Sequence, residues 1–311
     1  MARYVLQRLL HTCVLLVAVT LLSYLLLYLA PADPAQVIAA QRLGGRPNPA
    51  QVAWVRQHYG LDQPWFRQYL RWLRQALHGD FGSSIRTGQR IRAEVSQAGA
   101  YSLALGLWTT AFVVLLGGSS GVWAALRPHT LWDRLLQWGS LLCVSVPEFW
   151  LAFLLIGLFA VTLGWLPSYG ATSSAHLVLP VLALGLGQAA RVSRVTRALL
   201  LAERGQDYLR TARAKGRTCT SALLRHALPN IAVPFVTLLA HQASLVLSGA
   251  IIIETVFSWP GLGVYFITAV QFRDIPVIQA MVLLFATLIV ILYGLADVSY
   301  GWLDPRIRLQ S

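Results

Sequence analysis

Hydrophobic positions in this chain run in long unbroken blocks, with polar positions gathered into the intervals between them. Six blocks, 9–30, 101–126, 135–163, 177–198, 229–254 and 276–302, are long enough to cross a bilayer as helices. A span of about 30 Å takes about 20 helical residues. Prolines inside them, such as Pro147, Pro180 and Pro234, are tolerated in membrane helices where neighbours satisfy the freed backbone. The pattern predicts an all-α polytopic membrane protein of about six spans.

One interval has a second period. Residues 63–77 place Trp65, Phe66, Tyr69, Trp72 and Leu73 on a single stripe, which predicts an amphipathic helix with Asp62 as N-cap ahead of Pro64. Such a helix suits the outer mouth of the protein or the lipid interface, where Trp and Tyr are stable. A substrate-binding role for these aromatics ranks below that reading. His78-Gly-Asp-Phe-Gly82 then turns the chain back to the membrane.

Composition agrees: 56% of the 311 residues are hydrophobic and only 12% charged, with mean hydropathy +0.59. Soluble domains carry about 25% charged residues. The first block follows Arg3 and Arg8 as in a signal peptide, but it is longer than a signal core and lacks a clear cleavage site, so a retained span is expected.

The net charge of +13 raises the question of nucleic acid. The basic residues flank membrane-length blocks, which favours the positive-inside rule over a DNA-binding face. Arg3, Arg8, Arg127, Arg134, Arg306 and Arg308 fall on one side. Arg191, Arg194, Arg197, Arg204, Arg210, Arg213, Lys215, Arg217 and Arg225 crowd the fourth connection on that same side. The third connection, 164–176, has no Lys or Arg, and the fifth has only Arg273. Both termini are therefore expected in the cytoplasm, and the insertion 31–97 outside it. The nine arginines of that insertion oppose the assignment weakly, since segments of its length translocate largely regardless of charge.

Lys215 is the only lysine and has no Gly-Lys-Ser/Thr context, so the chain carries no P-loop of its own. Cys13, Cys143 and Cys219 are scattered and form no CxxC.

The fourth connection is specific. Arg210-Thr211-Ala212 precede Gly216, and His226-Ala-Leu228-Pro229 follows at the spacing of a known signature. The chain here resembles the permeases of binding-protein-dependent ABC importers, whose cytoplasmic signature reads Glu-Ala-Ala, three residues, Gly, nine residues, Ile, one residue, Leu-Pro. It departs by Arg for Glu, Thr for Ala and His for Ile. Tyr59-Gly-Leu-Asp-Gln-Pro64, His78-Gly-Asp-Phe-Gly82, Ser145-Val-Pro-Glu-Phe-Trp150, Phe257-Ser-Trp-Pro-Gly-Leu-Gly263, Arg273-Asp-Ile-Pro-Val-Ile-Gln279 and Asp304-Pro-Arg-Ile-Arg308 narrow the resemblance to the dipeptide, oligopeptide and nickel branch. The short third connection is more similar to the nickel permeases.

The resemblance implies a type I importer fold. It also implies a second homologous permease subunit, two ATP-binding subunits that hold ATP and magnesium, an extracytoplasmic binding protein, and no cofactor on this chain. It divides the chain into a first span plus extracytoplasmic segment (1–97), a transmembrane domain (98–303) with a coupling loop at about 202–228, and a tail (304–311). Asp207, Tyr208, Arg210, Thr211, Ala212, Arg213, Lys215, Gly216, Leu228 and Pro229 are the residues expected to meet the ATP-binding subunit. Gly216 suits a helix stop and Pro229 the first turn of the next membrane helix. The basic excess of the loop suits a partner with an acidic surface.

Glu148 and His241 lie inside predicted spans and Glu254 near the end of one. A charge at the bilayer centre costs about 2.5–3.5 kcal/mol, so such groups face a cavity or a partner. One reading has them line the pathway, with His241 touching a metal in passing, since imidazole suits nickel. The other has Glu148 hydrogen-bond backbone freed by Pro147, and His241 bridge two helices. Phe257–Gly263 is read as a re-entrant or outer-gate turn; His176, Asp80 and Asp274 are read as ordinary loop polar groups.

Rival readings are an ion-coupled secondary transporter, a channel and an intramembrane enzyme. The first would show charge relays and internal repeats, and the last a paired catalytic constellation. The cargo stays open among nickel, a nickel chelate, dipeptide and oligopeptide.

Overall fold

The computed structural model describes residues 2–29, 33–43 and 45–303, with side chains described only outside 2–9, 26–29, 41–43 and 296–303. The side chains of Arg3 and Arg8, the start of the 31–97 insertion, and the tail with Arg306, Arg308 and the Asp304-Pro motif fall outside what is described. Apart from an isolated Ser83–Arg90 bridge, the described residues form no strand.

The first compact unit comprises 1–100 and 261–290. It holds α1 (Ala2–Leu29), α2 (Pro34–Leu43), α3 (Pro49–His58), α4 (Trp65–Leu77), the start of α5 (Ile91–Phe112), α14 (Leu262–Gln271) and the start of α15 (Ile275–Leu303). The expected amphipathic helix is α4, but its N-cap is Pro64 with no side-chain cap bond, not Asp62. Of the aromatic stripe, Tyr69 is buried at 5% exposure while Trp65 and Phe66 face outward. Tyr69 Oη lies 3.0 Å from Thr20 Oγ1, and Tyr24 Oη donates to Gln68 Oε1 at 3.1 Å. The buried edge of α4 is therefore held on α1 by hydroxyl bonds.

Asp274 is a structural anchor of this unit. Its buried carboxylate accepts from Ser84 Oγ at 2.6 Å, Ile85 N at 3.1 Å and Arg86 N at 3.2 Å. That clasp holds the loop before α5 to the turn before α15. A second cluster, Ile91, Ala98, Leu262, Ala269, Val277 and Met281, packs α5, α14 and α15 together. The structure thus groups 261–290 with the first hundred residues.

The second unit comprises 101–260 and 291–311. The helix begun by α5 continues through a π-turn, Val113–Gly118, into α6 (Ser119–Leu126), making one span from Ile91 to Leu126. The block 135–163 is not one span. It is α7 (Leu131–Ser145) and α8 (Glu148–Leu155), the latter extended by a π-turn, Ile156–Thr162, and the two halves bend by 102°. Pro147 is the cause: the residue before a proline avoids helical backbone, and Val146 sits at φ −87°, ψ 125°. A short helical turn, Ser174–Leu177, leads to α9 (Val178–Arg204), which runs past the expected end at 198 and carries Arg191, Arg194 and Arg197 on a helix.

Helix α9 is the centre of this unit: 56% of its apolar stretch is buried, against 17–28% for the other long helices. Membrane helices lack a hydrophobic drive towards one another and associate where small residues let backbones approach. Gly117 and Gly121, one turn apart, meet Ala189 and Ser193 on α9. A Cβ on either glycine would lie 2.5 Å from the Ala189 or Ser193 carbonyl oxygen. Nothing larger fits.

After α9 come α10 (Asp207–Ala214), α11 (Cys219–Ala222), a π-turn at Leu223–Ala227, the single turn α12 (Leu228–Asn230) and the long α13 (Ala232–Val256). Pro229 therefore stands in its own turn, three residues before α13 rather than in its first turn. With α7 and α8 taken as one broken span, the described residues hold up to five helical segments of spanning length and hydropathy, with Leu10–Leu25 a shorter apolar helix.

Candidate functional site

Helix α10 is short, and its geometry comes from its two ends. Asp207 in its first turn suits the helix dipole. At the other end Gly216 takes φ +86°, a left-handed conformation that few residues other than glycine adopt. Gly216 N donates to Arg213 O at 2.9 Å and Arg217 N to Ala212 O at 3.2 Å. These two bonds form a Schellman cap, which stops the helix sharply. Thr218 then caps α11, accepting from Ser221 N at 3.2 Å.

One side of α10 is anchored. Leu209 is 2% exposed and packs with Leu200, Ala222, Leu223 and Ala227; Ala212, one turn on, is half-buried beside them. The opposite side is bare: Asp207, Arg210, Thr211, Arg213, Lys215 and Gly216 are exposed, as are Leu228 and Pro229. Arg210 and Asp207 stand 3.5 Å apart, but both are so exposed that the pair stabilises little. Tyr208 hydrogen-bonds Glu203, and burial followed by that carboxylate raises its phenol above the ordinary value. The result is a rigid basic knob fastened to the end of α9.

The basic excess is smaller than the sequence count suggests. Arg197 is neutralised by Asp133, with Nε to Oδ1 at 2.7 Å and Nη2 to Oδ2 at 2.8 Å. Asp133 is 3% exposed and also accepts from His129 N at 2.8 Å. This buried pair ties α7 to α9 at the base of the knob. The partners are 64 positions apart, and only a lone carboxylate in the apolar α7 hinted at it.

The three intramembrane candidates are in different surroundings. Glu148 is the first residue of α8, where its charge faces a helix N-terminus. It does not bond backbone freed by Pro147. It accepts from Gln188 Nε2 at 3.0 Å, and Gln188 Oε1 accepts from Arg191 at 2.9 Å. Gly249 on α13 makes room for it, since a Cβ there would lie 2.6 Å from Glu148 Oε2. Glu148, Gln188 and Arg191 therefore form one polar chain across the broken span and α9.

Glu254 is fully buried and accepts from Ser102 Oγ at 2.5 Å, while its main-chain carbonyl accepts from Trp259 N at 2.8 Å. Trp259 in turn donates its indole N–H to Tyr101 O at 3.1 Å. Glu254 thus sits in the lock that closes the turn after α13. His241 is exposed on α13. Among the described residues no cluster of three or more His, Cys, Asp or Glu side chains could hold a metal. Of the loop residues, His176 bonds Ser173, and Asp80 accepts from Gly82 N at 3.0 Å.

Comparison with known proteins agrees with this architecture. Residues 117–309 match the family described as the binding-protein-dependent transport system inner membrane component, and residues 1–89 match its N-terminal family. The chain is 38% identical over 308 residues to the glutathione transport system permease protein GsiC of Escherichia coli (strain K12), covering 99% of both chains. Its counterpart in Salmonella paratyphi A is 39% identical over the same span. The fold is shared with an inward-facing crystal form of the MetNI methionine ABC transporter, at TM-score 0.56 and 19% identity over 68% of this chain and 96% of that one. Membership of this family supports an ABC importer permease over an ion-coupled transporter or a channel. The chain belongs to the permeases of binding-protein-dependent ABC importers, multi-pass proteins of the bacterial inner membrane.

Proposed function

We propose that this chain forms half of an ATP-driven passage for short peptides, glutathione among them, and that α10 is where the ATP-binding subunits push. The observation that carries the coupling role is the Schellman-capped helix, buried through Leu209 and exposed along its basic face. A knob fastened to α9 transmits displacement to the helix around which α6, α7, α8 and α13 pack. The exposed Arg210, Arg213 and Lys215, with Asp207, Tyr208, Thr211, Ala212, Gly216, Leu228 and Pro229 around them, suit an acidic cleft on a partner. On this reading α10 and both termini face the cytoplasm, and ATP and magnesium bind to the partner subunits.

The assembly would hold a second homologous permease, two ATP-binding subunits and an extracytoplasmic binding protein. Closure of the ATP-binding subunits moves α10, rocks α9 and opens the passage outward; cargo enters from the binding protein, and resetting opens it inward. End-to-end likeness to glutathione permeases favours a peptide cargo over nickel. Among the candidate pathway residues Glu148 suits that cargo best. Its carboxylate and the Arg191 guanidinium, joined through Gln188, offer opposite charges to peptide termini.

Uptake into proteoliposomes carrying the assembled complex and its binding protein tests this reading. ATP-dependent uptake of glutathione or a dipeptide is expected. Uptake of a nickel chelate alone would overturn the peptide assignment while leaving the importer; no ATP-dependent uptake of any of them would overturn the importer.

A further inference from the structure

Within the first unit α1, α2, α4 and the start of α15 surround a cavity of about 190 Å³. That is below the roughly 300–1,000 Å³ of sites for drug-sized ligands, so its occupant is small. The walls are amphipathic: Tyr24, Ile38 and Tyr59 supply apolar surface, and Arg71, Trp72 and Gln279 supply donors. No Asp or Glu is among the described lining residues.

The donors are left over from the fold. Trp72 Nε1 is buried with no hydrogen-bond partner, and Gln279, 7% exposed, also lines the cavity. A buried polar group without a partner costs about 1–3 kcal/mol, and most buried polar groups have one. Arg71 has no carboxylate within ion-pair distance among the described residues. Its guanidinium lies over Gly60, where a Cβ would come within 2.4 Å of Nη1. Gly60, at φ +62°, is a residue that lets the cation rest there.

We infer that this cavity, formed by Arg71, Trp72 and Gln279 with the Tyr24 and Tyr59 walls, binds a small organic carboxylate with an apolar flank. The carboxylate takes the guanidinium, the orphaned Trp72 N–H and the Gln279 amide; the flank lies against Ile38 and the two tyrosines. A short peptide's C-terminus and a free acyl amino acid share this chemistry. The inference depends neither on the role of α10 nor on the cargo of the passage.

Saturation-transfer NMR on the full chain in lipid nanodiscs, with empty discs as blank, tests it. The probe is N-acetyl-leucine, and N-acetyl-leucinamide is its uncharged counterpart. The acid is expected to bind and the amide to bind at least about tenfold more weakly, as is the acid to Arg71→Gln, the loss of one charge-assisted bond pair. Ile38→Trp, which fills the cavity, should abolish the signal. Arg71 is exposed, so its variant decides even where the Ile38 variant fails to fold. Equal binding of acid and amide, unchanged binding by Arg71→Gln, or no signal from the acid would each overturn the assignment.

Discussion

Asp133 and Arg197 form the most heavily committed ion pair among the described residues of the second unit, because one partner is 3% exposed and the bonding is bidentate. Removing one partner of a buried pair costs about 3–5 kcal/mol, since the other is left charged and unpaired. The Arg197 side chain is one-fifth exposed, so water offsets part of the loss for Asp133→Ala, and about 3 kcal/mol is expected. Thermal melting of the purified chain would read this as a clear fall in midpoint, with Asp133→Asn falling less because it keeps acceptor and shape. Equal midpoints for parent and alanine variant would refute the role. The sequence offered Arg197 as one more basic loop residue; only the folded chain shows that it is spoken for, because its partner lies on another helix.

At the scale of elements, two contacts hold α9 and α10 in place. The first is the Gly117 and Gly121 seam on α9, where backbones approach too closely for any side chain. Gly121→Leu should separate α6 from α9 and lower the yield of folded, monodisperse protein severely, whereas Gly139→Leu, at a glycine with open space around it, should leave it near parent level. Size-exclusion profiles after extraction give the answer. The second is Leu209. Leucine-to-alanine changes in packed sites cost about 2–5 kcal/mol, here drawn from the local docking of α10. Leu209→Ala should therefore raise amide exchange in 207–214 while α9 keeps its protection; unchanged exchange would mean that Leu209 does not hold the helix.

These elements were unevenly legible. The spacing from Arg210 to Pro229 marks the knob because a left-handed stop and a proline leave a local signature, and Gly216 does stop α10. The break at Val146–Pro147 was hidden, since proline is tolerated in many membrane helices and nothing local distinguishes a kink from a turn of 102°. The same holds for Pro229, which falls outside α13 because a π-turn and a short turn precede that helix. The Glu148–Gln188–Arg191 chain was half visible: a carboxylate inside an apolar block asks for a partner, but the sequence does not say which.

For the whole molecule, the central claim is that force enters at α10 and reaches the membrane through α9. Gly216 tests it cleanly because nothing lies within 4 Å of where a Cβ would be, so a substitution acts through backbone conformation and not through collision. Holding a β-branched residue at φ +86° costs of order 1–3 kcal/mol, whereas asparagine tolerates this region. The measurement is ATPase activity of the assembled, reconstituted complex with its loaded binding protein, for the parent, Gly216→Asn and Gly216→Val. The account predicts stimulation by the loaded binding protein in the parent and the asparagine variant, and its loss in the valine variant while all subunits stay assembled. Full stimulation of an assembled valine complex would contradict it and place the coupling elsewhere on the chain.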